Sequence, residues 1–258
     1  MYQILIPAAG AGSRFADAGF NLPKPLINVC GKPMIQRVLD SIAHIPNPEF
    51  TFVIRLSDHW NFDLSRRLRE MTEPLGKCNI FYVEHPTSGA AATALRAKAI
   101  IDNGEPLFIA NSDQIIETQY RPRTPWEDGV IYTFRAEGPK WSYVARDNDG
   151  RVWGVAEKQV LSAYGTVGLY QWSRGADFVK YAEQMIRKGH RCNGEFYIAP
   201  VYNEAISDGK RIVSWEVLAM DGVGTPEDLR AYEDKHRRAG GAAGGAAPQV
   251  DGEGVQTA

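Results

Sequence analysis

Ile4-Leu5-Ile6-Pro7-Ala8-Ala9-Gly10-Ala11-Gly12-Ser13-Arg14-Phe15, followed by Pro23-Lys24-Pro25-Leu26, is the stretch on which the fold turns. Ile4 to Ile6 is a short apolar run stopped by Pro7 and Gly10, the pattern of a buried strand entering a loop. The small residues Ala8, Ala9, Gly10, Ala11, Gly12 and Ser13 let main-chain N–H groups approach a polyphosphate, and glycine permits positive φ. The loop is not a dinucleotide fingerprint, because Phe15 stands where a third glycine should be. Nor is it a P-loop, since no Gly-Lys-Ser/Thr follows at the required spacing. The prolines beside Lys24 restrict where that lysine can point.

Working outward, apolar positions from Met34 to Ile45 recur at helical spacing. Further strands are expected at Phe50–Ile54, Ile80–Val83 and Pro106–Ala110, with helices over Asp63–Met71 and Ala90–Ile101. That alternation implies parallel βαβ units in an α/β fold. After Asp113 come the short strands Val130–Phe134, Ser142–Ala145 and Arg151–Val155, with a hairpin turn at Asp147–Gly150. Helices over Ala176–Lys188 and Tyr197–Ser207 and a strand over Ile212–Val217 complete the pattern, with no clean linker. Ala239 to Ala247 contains only glycine and alanine, so residues 239–258 read as a disordered tail behind one domain, 1–238.

Composition narrows the class. The chain has 258 residues and a formal net charge of −2, so no global basic field draws it to nucleic acid or an anionic membrane. No apolar run of about 18 residues occurs, and the N-terminus lacks the basic region of a signal peptide. The three cysteines, Cys30, Cys78 and Cys192, lie far apart without metal-ligand spacing, as reduced thiols of a cytoplasmic protein do. Any phosphate chemistry must therefore rest on a local site.

Gly10-x-Gly12-Ser13-Arg14-Phe15 with Pro23-Lys24-Pro25-Leu26, and Gly31-Lys32-Pro33-Met34 opening a helix, resembles the signature of the sugar nucleotidyltransferases, the pyrophosphorylases that make nucleotide sugars. The resemblance implies a single Rossmann-like nucleotide-diphospho-sugar transferase fold with a mixed, mainly parallel central sheet flanked by helices. It implies an enzyme that couples a nucleoside triphosphate to a sugar 1-phosphate or similar small phosphate ester and releases pyrophosphate, in nucleotide-sugar or surface-polysaccharide precursor synthesis. By that resemblance Arg14 clasps the departing phosphates and Lys24 neutralises the α-phosphate and the incoming phosphate. Asp113, at the end of Asn111-Ser112-Asp113, would hold Mg²⁺, with Ser112 and Gly89 of Ser88-Gly89-Ala90 beside the nucleotide. Glu157-Lys158, Gly168 and Glu195 would line the acceptor pocket. The physical logic stands apart from the family: two polyanions must meet, and cations fixed beforehand must cancel their repulsion.

At Asp221-Gly222-Val223-Gly224-Thr225 the sequence departs from the pattern, because the related thymidylyltransferases place a metal-binding aspartate two residues before Gly-Thr, where Gly222 stands. Either Asp221 shifts into that role, or the ion relies on Asp113, phosphates and water. Two further classes stay open: a nucleotide-sugar-dependent glycosyltransferase of the related fold, and a non-catalytic nucleotide-sugar sensor. The base, the acceptor and self-association into a homo-oligomer are also open.

Overall fold

In β1 (Tyr2–Pro7) the residues Ile4, Leu5 and Ile6 are fully buried, with Ile4 and Ile6 facing one apolar cluster and Leu5 the other. Period-two alternation thus gives each side of the central sheet its own core. The computed structural model describes residues 1–122 and 124–242. After β1 the loop enters α1 (Ser13–Asp17), and a tight turn at Lys24–Leu26 leads to a small ribbon of β2 (Asn28–Val29) and β3 (Lys32–Pro33). Next come α2 (Met34–Ile42), β4 (Pro48–Arg55), α3 (Leu56–Phe62), α4 (Leu64–Thr72) and β5 (Lys77–Val83). A broken helical segment, α5 (Ala90–Ala94) and α6 (Lys98–Ile101), precedes β6 (Leu107–Ala110).

The second half holds β7 (Gln114–Glu117), β8 (Gly129–Arg135), β9 (Ser142–Arg146), β10 (Val152–Glu157) and β11 (Tyr164–Trp172). Then follow α7 (Gly175–Lys188), α8 (Val201–Ser207), β12 (Ile212–Glu216), β13 (Ala219–Gly222) and α9 (Pro226–Ala242). The nine-stranded main sheet runs β12-β8-β11-β6-β1-β4-β5, with β9 and then β10 branching from β11. Pairs among β6, β1, β4 and β5 are parallel, as the strand–helix alternation predicts. From β11 onward the partners are antiparallel except β12 with β8, so the sheet is mixed and parallel in its first half. Helices α2 and α4 cover one face, and α5, α7 and α8 cover the other.

Boundaries moved where backbone chemistry overrides periodicity. The helix expected to reach Ile45 ends at Ile42, because Pro46 disfavours helical geometry at the residue before it. Ile45 stays buried nonetheless, in a turn donating its N–H to the Ile42 carbonyl at 3.1 Å. The helix expected from Tyr197 starts at Val201, after Pro200. The tail boundary expected at residue 239 falls inside α9, since a nucleated helix gains one hydrogen bond for each residue it extends. The rest of that expected tail, from 243 onward, lies outside the described residues. The hairpin turn forms as read: Asp147 Oδ1 accepts from the N–H groups of Asp149 and Arg151 at 3.0 and 2.9 Å.

Candidate active site

Strand β11 forks. Its second half, Leu169–Trp172, pairs with β6, whereas its first half touches β9 through Gly165 opposite Tyr143. Between them sits Gly168 at φ +70°, inside a register break. A Cβ at Gly168 would lie 1.6 Å from Gln114 Oε1 and 2.6 Å from Asn111 Nδ2, so this position needs glycine both sterically and conformationally. Asn111 is held there, donating its N–H to the Gly168 carbonyl (2.8 Å) and its side-chain NH₂ to Gln114 Oε1 (2.9 Å). Where β6 stops and β9 has not begun, a cleft of about 500 Å³ opens at the carboxyl end of the parallel strands. Open α/β sheets bind ligands at such ends.

One wall is built by the opening loop. Ala8, Gly10 and Arg14 line the cleft with Lys24. Ala9 is buried beneath, and Gly12, in the left-handed region, packs against the Lys24 stem. Phe15, Ile27, Val29 and Met34 form a small core with Val223, Leu229 and Tyr232, which fixes the loop against the C-terminal segment. Arg14 is exposed, and among the described residues no acceptor holds its guanidinium. Lys24 Nζ donates to Asp113 Oδ2, with side chains only 21% and 23% exposed. The Asp113 carbonyl is fixed by the Val223 N–H at 2.9 Å. A Cβ on Gly224 would approach Asp113 Oδ2 to 2.6 Å, so backbone without a side chain closes over that carboxylate.

The opposite wall comes from β9, β10 and the segment before α8. Ser142 Oγ donates to Glu157 Oε2. Burial lifts the Glu157 carboxyl above its ordinary range, opposed by Ser142 and Lys158 and assisted by the Glu195 charge. Lys158 stands at positive φ and donates to the Tyr197 hydroxyl at 2.9 Å, a contact that raises its affinity for the proton. Thr166 and Tyr170 hydroxyls, 3.1 Å apart, form the floor, and burial keeps the Tyr170 phenol protonated.

Arg14, Lys24, Asp113, Ser112, Glu157 and Lys158 are therefore brought to one cleft. Glu195, expected to line the pocket, is exposed and is not among the residues lining the cleft, though it lies within electrostatic reach of Glu157 and Tyr197. Gly89 lies under the Phe196 backbone, whose N–H a Cβ would meet at 2.5 Å. Asp221 is not brought in. On β13 it pairs with Ile115, one register step from the Gly222–Gln114 pair that lines the cleft. A shift of one residue along a strand turns a side chain to the other face. There Lys235 Nζ holds both Asp221 carboxylate oxygens at 2.8 Å. Sequence reading missed Lys140, Trp141, Asp228 and Thr225, which also line the cleft. Pro139-Lys140, a lysine directly after a proline, was the available signal.

With this geometry in hand, comparison with known proteins is direct. The profile of the nucleotidyl transferase family matches residues 3–238. The chain belongs to that family. It is 26% identical over 181 residues to mannose-1-phosphate guanyltransferase beta-B of Xenopus laevis, covering 66% of this chain and 49% of that protein. The chain thus spans about half the length of the curated relatives it matches. The nucleoside-diphosphate-sugar pyrophosphorylase structure from Vibrio cholerae RC9 superposes with a TM-score of 0.78 at 24% identity, over 90% of this chain and 99% of that one. A UDP-glucose pyrophosphorylase complexed with UDP-glucose gives 0.72 at 17% identity, over 93% and 99%. These likenesses establish the fold.

Proposed function

We propose that this chain transfers a nucleotidyl group from a nucleoside triphosphate to a sugar 1-phosphate and releases pyrophosphate. The observation carrying this reading is the convergence of Arg14, Lys24 and Asp113 on one wall of the cleft, facing Glu157 and Lys158 on the other. In the reaction, an acceptor phosphate oxygen forms a bond to the α-phosphorus while the bond from that phosphorus to the α–β bridging oxygen breaks. Little general base is needed, since a phosphate dianion is already nucleophilic. Positioning and charge neutralisation supply the catalysis. Arg14, exposed and without an acceptor among the described residues, suits a bidentate grip on the leaving pyrophosphate; the compact Lys24 ammonium suits the reacting centre. Lys158 would bind the acceptor phosphate, and Glu157 and Glu195 acceptor hydroxyls, by charge-assisted hydrogen bonds.

The donor set fits Mg²⁺, which favours one or two carboxylates plus phosphate oxygens. Asp113 would hold it, with Lys24 moving from the carboxylate to phosphate. When bound, the ion would neutralise charge between the two substrates. Asp221, engaged by Lys235 on the far face, is left out of this assignment. The domain reading that fits is one catalytic unit over residues 1–238.

The names of the relatives make GTP with mannose 1-phosphate the first pair to try. A pyrophosphate-release screen should cross GTP, UTP, CTP, dTTP and ATP with mannose 1-phosphate, glucose 1-phosphate and phosphocholine. Turnover with a sugar 1-phosphate is the expected result. Release only with phosphocholine would refute the sugar assignment, and no release with any pair would refute the reaction.

A further inference from the structure

Lys140 is a cation of the cleft that the reaction above leaves without a task. It sits just before β9, its ammonium 2.5 Å from Asp228 Oδ1 in the first turn of α9 and 4.8 Å from the centre of the Trp141 ring. Lys140 and Asp228 both line the cleft, so this ion pair crosses its mouth. As a strut it would be weak, because the lysine side chain is 50% exposed and such pairs contribute little to stability. Nor does Asp228 depend on it. Its N–H donates to Thr225 Oγ1 at 3.1 Å, and its carboxylate lies where the positive end of the α9 dipole favours an anion.

The lysine is also on the acceptor side. The Trp141 carbonyl accepts the Lys158 N–H at 3.0 Å, and Ser142, two residues from Lys140, donates to Glu157. The Trp141 ring reaches back towards Gly222, whose added Cβ would stand 3.3 Å from Cη2, so Lys140 spans from the acceptor wall to the turn that covers Asp113. Four cations, Arg14, Lys24, Lys140 and Lys158, line the cleft with three acids, Asp113, Glu157 and Asp228. Substrates bearing several phosphate charges need that excess.

We propose that Lys140 is a phosphate-binding residue for the acceptor, and that Asp228 is its counter-ion, released when a phosphate dianion arrives. This rests on the two-substrate reading of the cleft. A flexible, compact ammonium can exchange one anion for another by rotating its stem, and Asp228 keeps the helix dipole after the exchange.

The test is calorimetric titration of the full chain with inorganic phosphate, which needs no nucleotide. Lys140→Gln should weaken phosphate binding by about fivefold or more, the scale of one charge-assisted contact. Asp228→Asn removes the competitor and should tighten binding by about twofold or more. Lys140→Arg keeps the charge and should retain binding, which guards against a folding defect in the glutamine variant. A strut would instead make Lys140→Gln and Asp228→Asn behave alike. Shifts of the same sign in both, unchanged affinity in Lys140→Gln, or no phosphate uptake by the wild-type protein would each overturn the proposal. A failed pyrophosphate-release screen, by contrast, strikes the reaction and leaves the titration result standing.

Discussion

Adding one methyl group at Gly224 should disable the centre without touching a charged residue. The new Cβ would stand 2.6 Å from Asp113 Oδ2, 3.4 Å from its Cγ and 3.7 Å from Lys24 Nζ. Ordinary contact begins at 3.4 Å, so something must retreat by about 0.8 Å from the 2.6 Å position. The backbones cannot easily part, because the Val223 N–H is bonded to the Asp113 carbonyl. The carboxylate must therefore swing, taking with it the Lys24 contact. A misplacement of about 1 Å in a reacting constellation costs about a hundredfold in rate, or about 2.7 kcal/mol of transition-state stabilisation. Stability should suffer less. Overpacking costs about 1–3 kcal/mol, and Gly→Ala returns about 0.4–1 kcal/mol through the unfolded chain. The measurements are kcat by pyrophosphate release, the magnesium dependence of that rate, and a thermal melt. Gly104→Ala, with nothing within 4 Å of its added Cβ, is the control and should be fully active. A Gly224→Ala enzyme with wild-type kcat and magnesium dependence would refute the placement of Asp113 at the reacting centre.

Lys24→Ala should lower kcat by about a hundredfold or more in a folded protein, the loss expected for a positioned transition-state cation; wild-type turnover would remove Lys24 from the chemistry. Asp113→Asn should abolish magnesium-dependent turnover, whereas Asp221→Asn should leave the magnesium titration curve unchanged because Lys235 holds that carboxylate on the other face; a raised magnesium requirement in Asp221→Asn would restore it as a ligand. Burial holds the Glu157 carboxyl above its ordinary range, so the folded state binds that proton more tightly than the unfolded chain. Stability from this group then falls as pH rises from about 4.3, the ordinary glutamate value, through the folded pKa. Melting temperature across that window should decline less steeply for Glu157→Gln than for wild type, and an equally steep decline would contradict the assignment.

The first half of the molecule was legible because each signal there is local. Ile4–Ile6 stopping at Pro7, and Met34, Ile35, Val38, Leu39 and Ile42 at helical spacing, each state an element and its buried face within one window. Lys24 and Asp113 were legible for the same reason, lying between prolines and at a strand end. The helix α3 escaped because Leu56–Phe62 has no clear apolar stripe. The pair β7 and β13 escaped because each is four residues long and its partner lies a hundred positions away. Lys140 and Asp228 were hidden for a related reason: they meet only once β9 and α9 are folded to the same mouth.

The metal question shows why spacing alone could not decide it. Counting along the chain, Asp221 is one residue from the position that the resemblance to thymidylyltransferases assigns to a metal ligand, a small displacement in sequence. In a helix, one residue rotates a side chain by about 100°, and a neighbouring turn can compensate. In a strand it reverses the face, and no side-chain rotation brings the group back through the sheet. Gly222 and Gln114 accordingly meet the cleft, while Asp221 and Ile115 meet α9 and the small core beneath the phosphate loop. At the cleft, Gly222 and Gly224 let the Trp141 ring and the Asp113 carboxylate approach the backbone, where an added Cβ would stand 3.3 Å from Trp141 Cη2 and 2.6 Å from Asp113 Oδ2. On the proposed reaction, Asp113 is then the carboxylate beside Lys24 on which the metal's position would depend, while Asp221 stays with Lys235.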